Sequence, residues 1–272
     1  MPIRIVGGVR LNVEEYGSGE PVLLVTGSGA SGRVWKAHQV PALTAAGYRA
    51  ITLDSRGIPP SDGCPEGFTL TGMMEDTASL IEDLGIERCR VVGFSLGAML
   101  VQELLVSYDG LVSQAVLIAT RGRSDVLSTQ MSAGERDLFE REIEIPPRYA
   151  AYMRAIQCLS PRTLSDEQST QDWLAVFEIS TAGSYLNRDH LGLEIISDRR
   201  DAYQKIRCPC LVVAFSDDLI ARPQLCREVA ASIPGCGYTE ISGCGHYGYL
   251  EDPAAVNDAI IGFFEAGAEP RK

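Results

Sequence analysis

The spacing of apolar and polar residues changes rhythm several times along the chain, and each change marks an element. Residues 3–5 and 9–15 alternate apolar with polar, which predicts an antiparallel opening pair exposed on one side. From Pro21 the alternation gives way to continuous apolar runs at 22–25, 48–53, 88–94 and 114–119, the signature of interior parallel strands covered on both faces. Between them, 34–46, 70–84 and 96–106 carry helical spacing. Such alternation predicts a mostly parallel sheet wrapped by helices on both faces.

After Thr120 the rhythm breaks. Residues 121–205 hold no comparable strand run, and helical spacing predicts helices over 133–144, 147–159, 166–181 and 188–205. An all-helical stretch inside an alternating sheet reads as an inserted cap. Tyr149, Tyr152, Met153, Trp173, Phe177 and Tyr185 within it are candidates to line a substrate pocket, although for each one singly the cap's own core is the more usual place. Strand spacing then resumes at 210–215 and 237–241, with helices over 223–232 and 253–264. The expected organisation is a core of residues 1–120 and 206–272, with a cap of 121–205.

Composition narrows the class. A hydrophobic share of 45% over 272 residues and a mean hydropathy of +0.02 suit a soluble globular chain, and no apolar run approaches the ~18 residues that cross a bilayer. The first eight residues lack the apolar core of a secretion signal, so a cytoplasmic location is expected. With a net charge of −12 and no Lys/Arg run, neither nucleic acid nor a membrane surface is an expected partner. The eight cysteines form no CxxC pair and read as thiols. Cys208-Pro209-Cys210 and Cys244-Gly245-His246 have no zinc-site spacing, so no metal is expected.

The chemistry centres on Gly93-Phe94-Ser95-Leu96-Gly97, where an apolar strand meets a helix. Glycines two residues either side allow close approach of strand and helix, so that the Ser95 hydroxyl stands clear and the Leu96 amide points into the same space. A serine needs a base to take its proton and a carboxylate to orient that base. Of three histidines, His38 falls in the helix after a glycine-rich loop, His190 in the cap, and His246 in a glycine-flanked loop after the last strand. His246 therefore shares a sheet edge with Ser95. Asp217 and Asp218, ending the strand after the cap, are the candidate acids. The loop 26–32 lies where ligands dock in open α/β sheets. Its Ser28 amide, with that of Leu96, is the candidate oxyanion hole.

In these segments the chain resembles the α/β-hydrolase superfamily. The likeness runs from about residue 19 to 264 through Val25-Thr26-Gly27-Ser28-Gly29, Asp54-Ser55-Arg56-Gly57 with Ser61, Gly93-Phe94-Ser95-Leu96-Gly97, Ser216-Asp217-Asp218 and Gly243-Cys244-Gly245-His246. It implies an eight-stranded sheet with strand two antiparallel, a helical cap after strand six, and cofactor-free acyl chemistry through an acyl-serine. It also implies Asp218 as the acid, the second of its pair. Two positions depart from the usual pattern: Thr26-Gly27 replaces His-Gly before the oxyanion loop, and Pro59 replaces a glycine in the Asp54–Ser61 stretch.

The expected activity is hydrolysis of an ester or thioester of a small-molecule acyl substrate, free or linked to a carrier or coenzyme A. The alternatives are transfer of the acyl group to an alcohol, amine or thiol acceptor, C–C bond hydrolysis, perhydrolysis, and ligand binding without catalysis. Arg121 and Arg123, following strand six, are candidate contacts for an anionic part of the substrate.

Overall fold

Runs of buried valine, leucine and isoleucine with no room for water on either side form the middle of a single sheet. The structure, a computed structural model, describes residues 3–181, 188–193 and 196–267. Its strands are β1 (Ile3–Val6), β2 (Val9–Tyr16), β3 (Glu20–Val25), β4 (Tyr48–Asp54), β5 (Cys89–Phe94), β6 (Val112–Ile118), β7 (Cys210–Phe215) and β8 (Gly237–Ile241). They lie in the order β1-β2-β4-β3-β5-β6-β7-β8. β2 is antiparallel to both β1 and β4, and every pair from β4 to β8 is parallel. Register places Val25 opposite Gly93, Phe94 opposite Ile118, and Phe215 opposite Ile241. The carboxyl ends of these strands therefore form one rim, and β5, buried along its whole length, lies between β3 and β6.

The described helices are α1 (Gln39–Ala45), α2 (Leu70–Asp83), α3 (Leu96–Ser107), α4 (Val126–Glu140), α5 (Pro147–Cys158), α6 (Pro161–Leu164), α7 (Glu167–Thr181), α8 (Arg200–Tyr203), α9 (Pro223–Ser232), α10 (Gly248–Glu251) and α11 (Pro253–Ala266). They surround the sheet: α1 packs on α11 and α2 on α3. Helices α4 to α8 fall between β6 and β7. Among them Ala151, Ala155, Leu159 and Phe177 form a small cluster separate from the main core. Helix α8 instead packs on α3 and α9, and its fully buried Tyr203 accepts a hydrogen bond from Gln102 Nε2 at 2.8 Å. None of the described helices is long and apolar enough to cross a membrane.

Three of the expected helices differ. The span 34–46 is a 3-10 turn (Gly32–Ala37) followed by α1, because Pro41 has no N–H for the Ala37 carbonyl and its ring would strike that carbonyl in a continuous helix. Helix α4 begins seven residues before the expected 133. Asp125 caps the Ser128 amide at 2.9 Å while the Ser128 hydroxyl accepts from the Asp125 amide at 2.9 Å, a reciprocal box that starts the helix early. The span 188–205 is not one helix. Gly192 takes φ +83°, which ends any right-handed turn there, leaving a 3-10 turn at Arg188–His190 and the short α8.

All eight cysteines are free thiols. Burial pushes Cys89, Cys158 and Cys236 up to about 12. The half-buried Cys208 is held below its ordinary value, chiefly by the hydrogen bond from the Cys210 thiol 3.8 Å away. Reactivity follows thiolate character and exposure. Iodoacetamide at neutral pH is accordingly expected to alkylate Cys208 in the native protein and to reach Cys89 and Cys158 only after unfolding. Peptide mapping that finds Cys89 modified before Cys208 would contradict this ordering.

Candidate active site

Ser95 is the apex of the turn from β5 into α3, with φ 53° and ψ −118°. A non-glycine residue there carries strain on the order of 1–3 kcal/mol and persists only when its surroundings over-determine it. They do. A Cβ on Gly93 would lie 2.6 Å from the Gly97 carbonyl oxygen, and one on Gly97 would lie 2.4 Å from the carbonyl oxygens of Val25 and Thr26. The Ser95 amide donates to Ile118 O at 2.9 Å, tying the turn to β6.

The loop after β8 brings His246 to this apex. Its Nε2 lies 3.0 Å from Ser95 Oγ, and its Nδ1 lies 2.8 Å from Asp218 Oδ2. Asp218 also accepts from the amides of Ile220 (2.7 Å) and Ala221 (2.8 Å) through Oδ1. With the carboxylate accepting throughout, the proton of the neutral imidazole sits on Nδ1, leaving Nε2 to accept from the Ser95 hydroxyl. The three groups are 7%, 4% and 2% exposed, so little water competes for these bonds. Of the pair, it is Asp218 that meets the imidazole, while the half-buried Asp217 donates its amide to Cys244 O at 2.9 Å.

This serine, aspartate and histidine, joined at a strand-to-helix apex and reached in that chain order, coincide with a match of residues 22–259 to the model of the alpha/beta hydrolase family. The chain belongs to the alpha/beta hydrolase family. It is 43% identical over 260 residues to BpoC of Mycobacterium tuberculosis, provisionally named a non-heme bromoperoxidase, across 94% of this chain and 98% of that one. The crystal structure of BpoC superposes with a TM-score of 0.91, covering 95% of this chain and 97% of the other. A thermophilic esterase from Thermogutta terrifontis gives a TM-score of 0.80 at 25% identity, covering 98% and 99%.

Within this hydrolase fold the glycine-rich loop lies against Ser95: a Cβ on Gly27 would stand 3.2 Å from Ser95 Cβ. Ser28 follows, exposed to solvent. Thr26, in the place of the usual histidine, donates its hydroxyl to Ala30 O at 2.8 Å and so closes the loop on itself. Asp54 holds the far end, accepting from the Ser31 hydroxyl (2.8 Å) and the Gly32 amide (2.7 Å). The Asp54–Ser61 stretch is thus structural, with Ser61 Oγ donating to Asp54 O and Arg56 paired to both Asp76 oxygens through the Nε–Nη2 edge of its guanidinium. Leu96 opens α3, where its amide has no partner within the helix.

Among the expected pocket residues, Trp173 and the buried Phe177 pack with Tyr247, their ring centroids 6.4 and 5.9 Å from it. Both rings therefore reach the loop that carries His246. Tyr149 is 54% exposed and pairs with Tyr152, while Met153 is half-buried; no ring contact or hydrogen bond among the described residues links either Tyr149 or Met153 to Ser95 or His246. Tyr185 lies outside the described residues. Arg123 turns one edge of its guanidinium, Nε and Nη2, to the two carboxylate oxygens of Glu228 at 2.7 Å. Arg121 is buried, and its carbonyl accepts from Gln102. No group of three His, Cys, Asp or Glu side chains among the described residues is arranged to hold a metal.

Sequence reasoning missed Glu251. Its Oε2 accepts from the Gly245 amide at 2.6 Å, next to His246, while its Oε1 accepts from the Ser160 amide (2.9 Å), the Ser160 hydroxyl (2.7 Å) and the Thr163 hydroxyl. The Tyr247 amide donates to Cys158 O at 2.9 Å on the same seam. No local pattern marks Glu251, because its Ser160 partner is 91 residues away. Glu251→Ala leaves those donors unpaired and is expected to destabilise the fold by about 1–3 kcal/mol in urea unfolding, with lowered activity. Arg123→Ala is expected to cost about 1 kcal/mol or less with KM unchanged, the behaviour of an ion pair rather than a substrate contact.

Proposed function

We propose that the protein is a serine hydrolase that cleaves an ester or thioester of a small organic acid. What supports this is the continuous hydrogen-bonded chain from Ser95 Oγ to His246 to Asp218, at 3.0 and 2.8 Å. As Ser95 Oγ attacks the acyl carbon, His246 Nε2 takes its proton, and Asp218 stabilises the imidazolium that forms. The carbonyl oxygen becomes an oxyanion held by the amides of Leu96 and Ser28. Collapse breaks the bond to the leaving alcohol or thiol, which receives the proton from His246. A water molecule, deprotonated by the same imidazole, then attacks the acyl-Ser95 and releases the acid. In this reading the helical segment 121–205 acts as the cap, and the rings of Trp173 and Phe177 border the acyl side.

The kinship to BpoC favours a second reading of the same intermediate. Hydrogen peroxide in place of water would carry the acyl group off Ser95 as a peracid, and the peracid would oxidise bromide in solution.

A fluorophosphonate probe is expected to label the intact protein once, at Ser95, and Ser95→Ala is expected to abolish labelling and lower kcat on a nitrophenyl ester by about a thousandfold or more. Equal labelling of Ser95→Ala and wild type would defeat both readings. Peroxide- and acetate-dependent bromination that disappears in Ser95→Ala would favour the second over simple hydrolysis.

A further inference from the structure

Of the two histidines without a part in the reaction above, His190 is 97% buried and lies in a 3-10 turn of the segment between β6 and β7. It does not point into that segment. Gly29 N–H donates to its Nδ1 at 3.1 Å, and its Nε2 lies 2.6 Å from Arg56 O. An amide can only donate and a carbonyl can only accept, so Nδ1 is bare and Nε2 carries the proton. The imidazole is a bridge between the glycine-rich loop after β3 and the loop after β4. Asp189 beside it reinforces the second attachment, its Oδ2 accepting from the Cys64 amide at 2.9 Å. Gly57, at φ +83°, makes the room: a Cβ there would stand 2.6 Å from Asp189 Cβ and 3.0 Å from His190 Nε2.

Gly29 follows Ser28, whose amide belongs to the oxyanion hole in the function proposed above. The Thr26–Ala30 bond and the Asp54 carboxylate fix the two ends of the loop. Across the turn the Ala30 amide donates to Gly27 O at 3.3 Å, a long bond, and the central Ser28–Gly29 plane, with Gly29 at φ +69°, has no hydrogen bond within the loop to hold it. The bond to Nδ1 fixes the Ser28–Gly29 plane and thereby limits how far the adjacent Gly27–Ser28 plane can rotate. We propose that His190 is a positioning residue for the oxyanion hole: from the segment between β6 and β7, it holds the glycine-rich loop in the orientation that aims the Ser28 amide at the developing oxyanion. This inference rests on the Ser95 mechanism, and it adds a coupling between that inserted segment and the hole.

The test is a comparison of His190→Asn, His190→Gln and His190→Ala on nitrophenyl butyrate, with melting temperatures measured in parallel. Asparagine places Oδ1 where Nδ1 stands and keeps the acceptor for Gly29, whereas glutamine places its terminal amide toward Arg56 O and keeps only the structural half. His190→Ala is expected to lower kcat by about 10- to 100-fold with KM within about twofold, the size of effect that a misplacement of about 1 Å produces. His190→Asn is expected to recover most of that loss and His190→Gln little of it, at similar melting temperatures. Gly57→Ala, which displaces the imidazole without altering it, is expected to reproduce the kcat loss. Rescue by glutamine equal to that by asparagine, kcat that follows melting temperature alone, or an unchanged kcat in His190→Ala would each overturn the proposal. Wild-type protein that takes up no fluorophosphonate would instead defeat the Ser95 mechanism beneath it; labelling with unaffected His190 variants defeats only this step.

Discussion

A backbone strained at a single residue sets the geometry of the whole site. Ser95 is held in a conformation that side-chain-bearing residues avoid, because β5 is hydrogen-bonded on both edges, α3 is buried, and the two flanking glycines leave no volume for any other chain path. The same turn lifts the Ser95 hydroxyl off the sheet and leaves the Leu96 amide unpaired beside it. Strain and preorganisation are here one arrangement: relaxing φ at Ser95 would lower the hydroxyl and swing the amide away together.

The remaining groups arrive by register. Strands β6, β7 and β8 are parallel, and Phe215 lies opposite Ile241, so the turns bearing Asp218 and His246 leave the sheet side by side. They are then tied to each other: Gly243 N donates to Ser216 Oγ at 2.8 Å and Asp217 N to Cys244 O at 2.9 Å. Asp217 serves that tie through its backbone amide, and the next residue, Asp218, meets the imidazole. A shift of one residue between β7 and β8 would exchange them and break the chain of hydrogen bonds to Ser95.

The helices between β6 and β7 grip the rim at two places. Cys158, Ser160 and Thr163 hold the His246 loop directly and through Glu251, and His190 holds the glycine-rich loop. Neither grip touches Ser95 Oγ or the His246 imidazole directly. Both fix backbone amides, those of Gly245 beside His246 and of Gly29 beside Ser28, so the seating of these helices and the geometry of the site are a single packing problem.

The apolar runs of β3, β5, β6 and β7, the elbow glycines, and the order of Ser95, Asp218 and His246 were legible in the sequence. Each is a local pattern: continuous burial enforces branched apolar residues, close approach enforces glycine, and one parallel sheet puts every strand's carboxyl end at the same rim. Helix limits were less legible where a cap or a proline acted against periodicity, as at Asp125 and Pro41. The tertiary structure alone decided that Arg123 belongs to Glu228, that Glu251 supports the His246 loop, and that His190 serves the loop after β3 rather than its own segment. Those pairings join residues 105, 6 and 161 positions apart, and even the six-residue pair depends on where Ser160 and Thr163 are delivered. A charged or hydrogen-bonding side chain has the same spacing signature whether it meets water or a distant partner, and only the packed chain distinguishes the two.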